Sequence, residues 1–192
     1  MTARTLHRRL MRWVLAINLL VALGMATAGR AHTPDFPMCK AAEIRIDVLP
    51  FDVTEDFSVR AEHLDRTTPL VGLVRQTTTV QVDGCTATVG YANPVLYVAS
   101  ELRPSPCAFQ TVFEHESHHV AIYRRALLDL DARIRAAAAD KPLFVAAVQE
   151  VKAVEAPQNA FDNPTEYRKN LTACHGDIYR LSQHRPLPAG LR

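Results

Sequence analysis

The sequence predicts an α+β domain in which an N-terminal antiparallel β-sheet is followed by a helical half. Three observations predict it. Between about residues 40 and 100, short runs alternate apolar and polar side chains, the two-residue period of half-buried strands. An Asp-Gly pair, Asp83-Gly84, sits between two β-branched runs, the pattern of a tight hairpin. From about Phe109 to residue 184 the apolar period lengthens to that of a helix.

The elements follow in order. Arg4, Arg8, Arg9 and Arg12 precede an uncharged apolar run from Trp13 to about Ala28, closed by Ala26-Thr27-Ala28. A basic start, a short apolar run and a small-x-small end predict a secretory signal peptide over residues 1–28. The run is short for a membrane span, so the expected membrane contact is confined to an uncleaved anchor at this end. Residues 29–192 are then one exported domain, secreted or periplasmic. In it Ile44, Ile46 and Val48 alternate with Arg45 and Asp47 as a first strand. Thr77–Val82 and Cys85–Val89 are the arms of the hairpin, and Pro94–Val98 adds a strand with its proline at the start.

In the second half Ile122, Ala126, Leu130 and Ile134 recur at helical spacing, predicting one helix from about Phe109 to Ala139. A second helix covers about Pro142 to Glu155, Pro157 to Asn163 reads as a turn, and Asn163-Pro164-Thr165-Glu166 opens a third helix. That last run supplies a cap, a proline at the first position and a glutamate at the third.

Composition removes some functions. The chain has 192 residues, 48% of them hydrophobic, which is ample for a core. Its formal charge of +2 comes from the first 28 residues, which hold four Arg and no acid; beyond them 18 basic side chains face 20 acidic ones. A near-neutral body has no broad positive field, so nucleic acid is not an expected partner. The four cysteines, Cys39, Cys85, Cys107 and Cys174, include no C-x-x-C pair. Thiolate zinc and thioredoxin-like chemistry are therefore not expected, and two disulfides are.

The chemistry concentrates in His115-Glu116-Ser117-His118-His119, an H-E-x-x-H run on the first long helix. Four residues apart, His115 and His119 share a face and can reach one metal ion. Glu116 lies beside them, placed to take a proton from a water that the ion activates. The same stripe continues through Ile122 and Ala126, so the two histidines look toward the protein body. His118 is a partly exposed neighbour. A zinc hydrolase takes a third protein ligand and leaves one position open. The extended H-E-x-x-H-x-x-G-x-x-H form is absent, with Ile122 and Arg125 in the glycine and histidine places, so the third ligand comes from elsewhere.

A helical hairpin folded back near Asp140-Lys141 puts residues whose numbers sum to about 281 at one level, because both arms rise equally. His115 then lies beside Glu166, His119 beside Asp162, and Cys107 beside Cys174. Glu166 is the first candidate for the third ligand and Asp162 the alternative. His175, His184 or a strand residue stay open, whereas Glu150 and Glu155 fall short of the histidines. Three cysteine pairings are possible. The register favours Cys107–Cys174, with Cys39–Cys85 as the accompanying pair. Tyr167 is a candidate oxyanion stabiliser. Asn170-Leu171-Thr172 matches a glycosylation acceptor that matters only in a eukaryotic secretory path.

With its H-E-x-x-H helix the chain resembles the zincin metallopeptidases. The run Phe113–Arg124, and Phe161-Asp162-Asn163-Pro164-Thr165-Glu166-Tyr167 with Cys174 following, is similar to uncharacterised secreted zinc-dependent proteases of bacteria. The resemblance implies Zn2+ on His115 and His119, Glu116 as general base, and a sheet whose edge strand holds an extended peptide. The expected activity is hydrolysis of peptide bonds in proteins or cell-wall peptides. The competing expectation is a non-catalytic exported module in which the metal is structural or absent.

Overall fold

The computed structural model describes residues 36, 38–65 and 70–182. The expected signal segment and His184 lie outside them. The sheet is built around strand β4 (Thr86–Val98), which has neighbours on both sides. On one side runs β3 (Gly72–Asp83), antiparallel over its whole length. On the other, β1 (Arg45–Val48) and β2 (Thr54–Asp56) lie end to end, each parallel to β4. The fold class is α+β as expected, but the sheet is mixed and not antiparallel throughout. Alternation shows that a segment is extended and half-buried; it carries no information on which strand it meets or in which direction.

The hairpin turn also sits one residue later than Asp83-Gly84. Asp83 pairs with Thr86, leaving Gly84 and Cys85 as the turn. Gly84 has φ +55, a conformation that glycine adopts without a Cβ clash. The strand expected at Pro94–Val98 is the end of β4, not a separate element. Arg75 pairs with Val95 and Thr77 with Ala92, so Asn93 and Pro94 bulge opposite Gln76 alone. In a bulge the proline's missing N–H leaves no ladder bond unmade. The bulge also explains why the buried residues of β4 change parity, from Ala87, Val89 and Tyr91 to Leu96 and Val98. One inserted residue keeps the apolar side chains turned to the helices on both sides of it.

The short helix α1 (Ala61–Leu64) precedes β3. Helix α2 (Pro106–Leu128) begins with proline at its first position and buries Ala108, Val112, Glu116 and Val120. It ends earlier than the periodicity predicts. Asp129 leaves the helical region (φ −118, ψ 22), and α3 (Leu130–Ala137) restarts at a new angle. Arg133 supports the break: its guanidinium donates to the Ala126 carbonyl at 2.8 Å and to Glu150 at 3.1 Å. The carbonyl freed by the interruption thus keeps a donor. The turn lets Leu130 and Ile134 pack with Leu143, Ala146, Ala147 and Val151 of α4 (Leu143–Lys152). Tyr91 ties the sheet to the same helix by donating to the Val151 carbonyl at 2.7 Å.

Residues 157–163, expected as a turn, are mostly helix: α5 spans Glu155–Phe161. Pro157 falls in its first turn, where the missing N–H costs no helical bond. Helix α6 (Pro164–Thr172) starts as expected, with the Asn163 side chain accepting from the Thr165 and Glu166 N–H groups at 3.0 Å each. Helix α7 (Asp177–Ser182) follows a tight bend. Disulfides join Cys39 to Cys85 and Cys107 to Cys174, as expected, each with Cα atoms 5.7 Å apart. Two disulfides are the form that an oxidising compartment outside the cytosol sustains. No helix among the described residues is long and apolar enough to cross a membrane.

Candidate metal centre

Three polar atoms converge in the angle between α2 and the α5–α6 junction. His115 and His119 present their Nε2 atoms 3.3 Å apart. Asp162 Oδ1 lies 3.3 Å from the first and 3.0 Å from the second. Both imidazoles are about one-tenth exposed (10% and 11%), so the stripe that places them toward the body holds. Among the described residues this is the one group of histidine, cysteine or acidic side chains arranged to hold a metal ion.

The spacing is informative. Ligands about 2.0–2.1 Å from a tetrahedral zinc ion stand roughly 3.3 Å from one another. Two neutral imidazoles and a carboxylate also form a donor set that suits such an ion and leaves one position free. The residues present therefore fit a zinc-class divalent cation.

The third member is Asp162, the alternative, and not Glu166. Asp162 terminates α5, with φ −73 and ψ 50, which turns its carboxylate to α2. Glu166 is the third residue of α6, and its carboxylate lies 3.4 Å from Lys169 Nζ. The difference is one helical turn. The register expected for His119 and Asp162 holds, and with residues 155–161 coiled as α5 the Asp162 carboxylate at its end serves both histidines. His175 is exposed beyond α6, and Glu150 is held by Arg133.

The surroundings fix the rings. Gln158, one turn before Asp162 on α5, accepts from His119 Nδ1 through Oε1 and donates through Nε2 to the His119 carbonyl at 3.2 Å. Asn170 of α6 reaches His115 Nδ1 at 3.0 Å. Phe161 lies between the rings of His115 and the exposed His118, 4.8 Å from one and 4.0 Å from the other. Sequence reasoning missed all three. Gln158 had a signal: Gln158 and Asp162 are four apart, mirroring His115 and His119 on the facing helix. Asn170 carried only its match to a glycosylation acceptor.

Glu116 is 7% exposed and faces the beginning of β3. Burial pushes its carboxyl up to about 7, against the pull of His119 and His115 and of the Val74 N–H that it accepts. Asp162 goes the other way. Burial raises its carboxyl, but hydrogen bonds from His115 and His119 outweigh that and hold it well below the ordinary carboxylate range. His119 is raised, its burial being outweighed by Asp162 and Gln158. Tyr167 is 45% exposed, yet its hydroxyl reaches inward and donates to Asp162. Burial first, then the charges of Asp162 and Glu116, push that phenol up to about 12.

Comparisons with protein-family models, curated proteins and solved structures find no match to this chain. The site's own chemistry is what bears on function.

Proposed function

We propose that this chain is a zinc-dependent peptidase acting outside the cytosol, secreted or in the periplasm. One observation carries the reading: two imidazole nitrogens and a carboxylate oxygen within reach of one ion, next to a buried glutamate of raised proton affinity. A zinc ion bound there would polarise a scissile carbonyl and acidify a water. His115, His119 and Asp162 hold the ion. Glu116 takes the proton of the attacking water and passes it to the leaving amine; a carboxyl near 7 exchanges a proton with little loss in either direction at neutral pH. Tyr167 keeps its phenolic proton there and donates to the oxygen that gains charge. The apolar leader over residues 1–28 and the two disulfides support export.

The test compares purified wild type with Glu116→Gln. We expect about one zinc per chain in both. Hydrolysis of casein or of cell-wall peptides should fall by roughly 10²–10⁴ in the variant, the usual contribution of a general base. Equal zinc and equal hydrolysis in the two proteins would remove Glu116 from the reaction. Zinc binding without hydrolysis of either substrate by wild type would favour a non-catalytic metal module.

A further inference from the structure

Whether an imidazole can bind a cation through Nε2 depends on where its proton sits. With the proton on Nδ1 the Nε2 lone pair is free; with the proton on Nε2 it is not. The two histidines differ in how this choice is made. Gln158 grips His119 at two points, and the second decides the first. The His119 carbonyl can only accept, so the Gln158 amide must present its NH2 group there, 3.2 Å away. Its carbonyl oxygen is thereby turned to His119 Nδ1 and favours a proton there, while Asp162 Oδ1, 3.0 Å from Nε2, competes for that proton until a cation takes Nε2. The carboxamide is thus oriented by the backbone of the residue whose side chain it orients. Asn170 lacks such a lock. Its side chain meets His115 Nδ1 at 3.0 Å and makes no second hydrogen bond among the described residues. A half-turn of that amide exchanges donor for acceptor at no cost in contacts.

We propose that Gln158 is the positioning residue that commits His119 to bind a divalent cation through Nε2, while Asn170 is an adjustable partner that follows the tautomer of His115. Capture is then ordered. His119 and Asp162 form the preset half of the site. His115 completes it once its Nδ1 carries the proton and the Asn170 oxygen accepts it. The inference rests on the metal centre of the proposed function but makes no use of hydrolysis.

The experiment reads zinc affinity by chelator competition and the imidazole tautomers by 15N NMR, on the oxidised full chain. In metal-free Asp162→Ala, which removes the carboxylate 3.0 Å from His119 Nε2, and at a pH where the imidazoles are neutral, His119 should carry its proton on Nδ1. In Gln158→Leu that preference should be lost and zinc affinity should fall about 10–100-fold, the usual effect of removing a ligand's hydrogen-bond partner. Gln158→Glu keeps the acceptor for Nδ1, so it should restore the tautomer and most of the affinity. Asn170→Asp presents only acceptors to His115 and should bind zinc at least as tightly as wild type, with the His115 proton moved to Nδ1 before zinc is added.

Zinc affinity unchanged in Gln158→Leu, or Gln158→Glu as weak as Gln158→Leu, would overturn the role of Gln158. A metal-free Asn170→Asp in which His115 keeps its proton on Nε2 would overturn that of Asn170. If wild type took up no zinc, the metal centre itself would fall, and the metal-free tautomers would still decide these two roles.

Discussion

A Cβ on Gly72 would stand 2.5 Å from Oε1 of Glu116 and equally close to Val112 Cγ1. The beginning of β3 therefore passes against α2 at a point where only a hydrogen fits. The Glu116 carboxylate uses that gap to reach the Val74 N–H. Because β4 is the sole strand partner of β3 among the described residues, that N–H belongs to the outer edge of the sheet they form. Strand and helix thus meet through one absent side chain and one buried carboxylate.

Gly72→Ala should disturb both. Overpacking of this kind costs about 1–3 kcal/mol, to be read from urea unfolding. The carboxylate must also leave its place, so hydrolysis should fall in the folded variant while zinc affinity stays within a few-fold, since none of the three ligands touches residue 72. An alanine variant with unchanged stability and activity would mean that the strand shifts aside freely.

Asp162 and Glu166 make opposite predictions as third ligand. Asp162→Asn removes the charge that two imidazoles share and should weaken zinc binding by at least 10²-fold. Glu166→Gln removes only the pair of a half-buried carboxylate with the exposed Lys169, worth little, and should leave affinity within about twofold. The reverse order in chelator competition would make Glu166, level with His115, the third ligand.

That register shows what a sequence can and cannot carry. His119 with Asp162, and Cys107 with Cys174, are both level in an antiparallel hairpin folded near Asp140, and both pairs meet. The H-E-x-x-H helix, the Asn163 cap and the two disulfides were legible because each is a local pattern or a rule of elimination among few residues. The choice of Asp162 over Glu166 was not, because it depends on whether residues 155–161 coil. Pro157 reads as a breaker in isolation but is harmless in a first turn. The parallel pairing of β1 and β2 was also hidden, since it is decided by which side of β4 the hairpin leaves free. Gln158 and Asn170 are ordinary amides until a histidine nitrogen faces them.

The two disulfides should separate stability from metal binding. Each closes a loop of comparable length, 46 and 67 residues apart in sequence. Loop entropy alone assigns each about 4 kcal/mol. Cys107–Cys174 does more, because it pins the end of α6 to the first turn of α2. There Cys174 and His175 hold φ values of +54 and +56, conformations that disfavour side chains. Losing that link frees the helix carrying Asn170. Cys107→Ser with Cys174→Ser should therefore lower both unfolding free energy and zinc affinity, whereas Cys39→Ser with Cys85→Ser should lower only the former. Identical zinc affinities in the two double variants would show that α6 holds its place without the bond.

The buried charges predict opposite pH slopes with and without metal. In the unfolded chain Glu116 ionises near 4.5, but in the fold it holds its proton up to about 7. Between those values only the unfolded chain gives up the proton, so stability of the metal-free protein falls as pH rises, by at most about 3 kcal/mol in total. His119 acts in the same direction. Its raised affinity for a proton stabilises the fold below its ordinary value of 6.5, and that contribution is lost as pH climbs past the folded value. Asp162, held low, contributes above 3.8 and is lost only in stronger acid. In chelator, then, the melting temperature should be highest near pH 4–5 and decline toward pH 8. Zinc competes with protons for the same nitrogens, so its stabilising effect should grow over that interval. Glu116→Gln should flatten the chelator curve between pH 4.5 and 7, leaving the later decline due to His119. A chelator curve that rises from pH 5 to 8 would mean that Glu116 is already ionised in the fold, and with it the buried, proton-holding base would be lost.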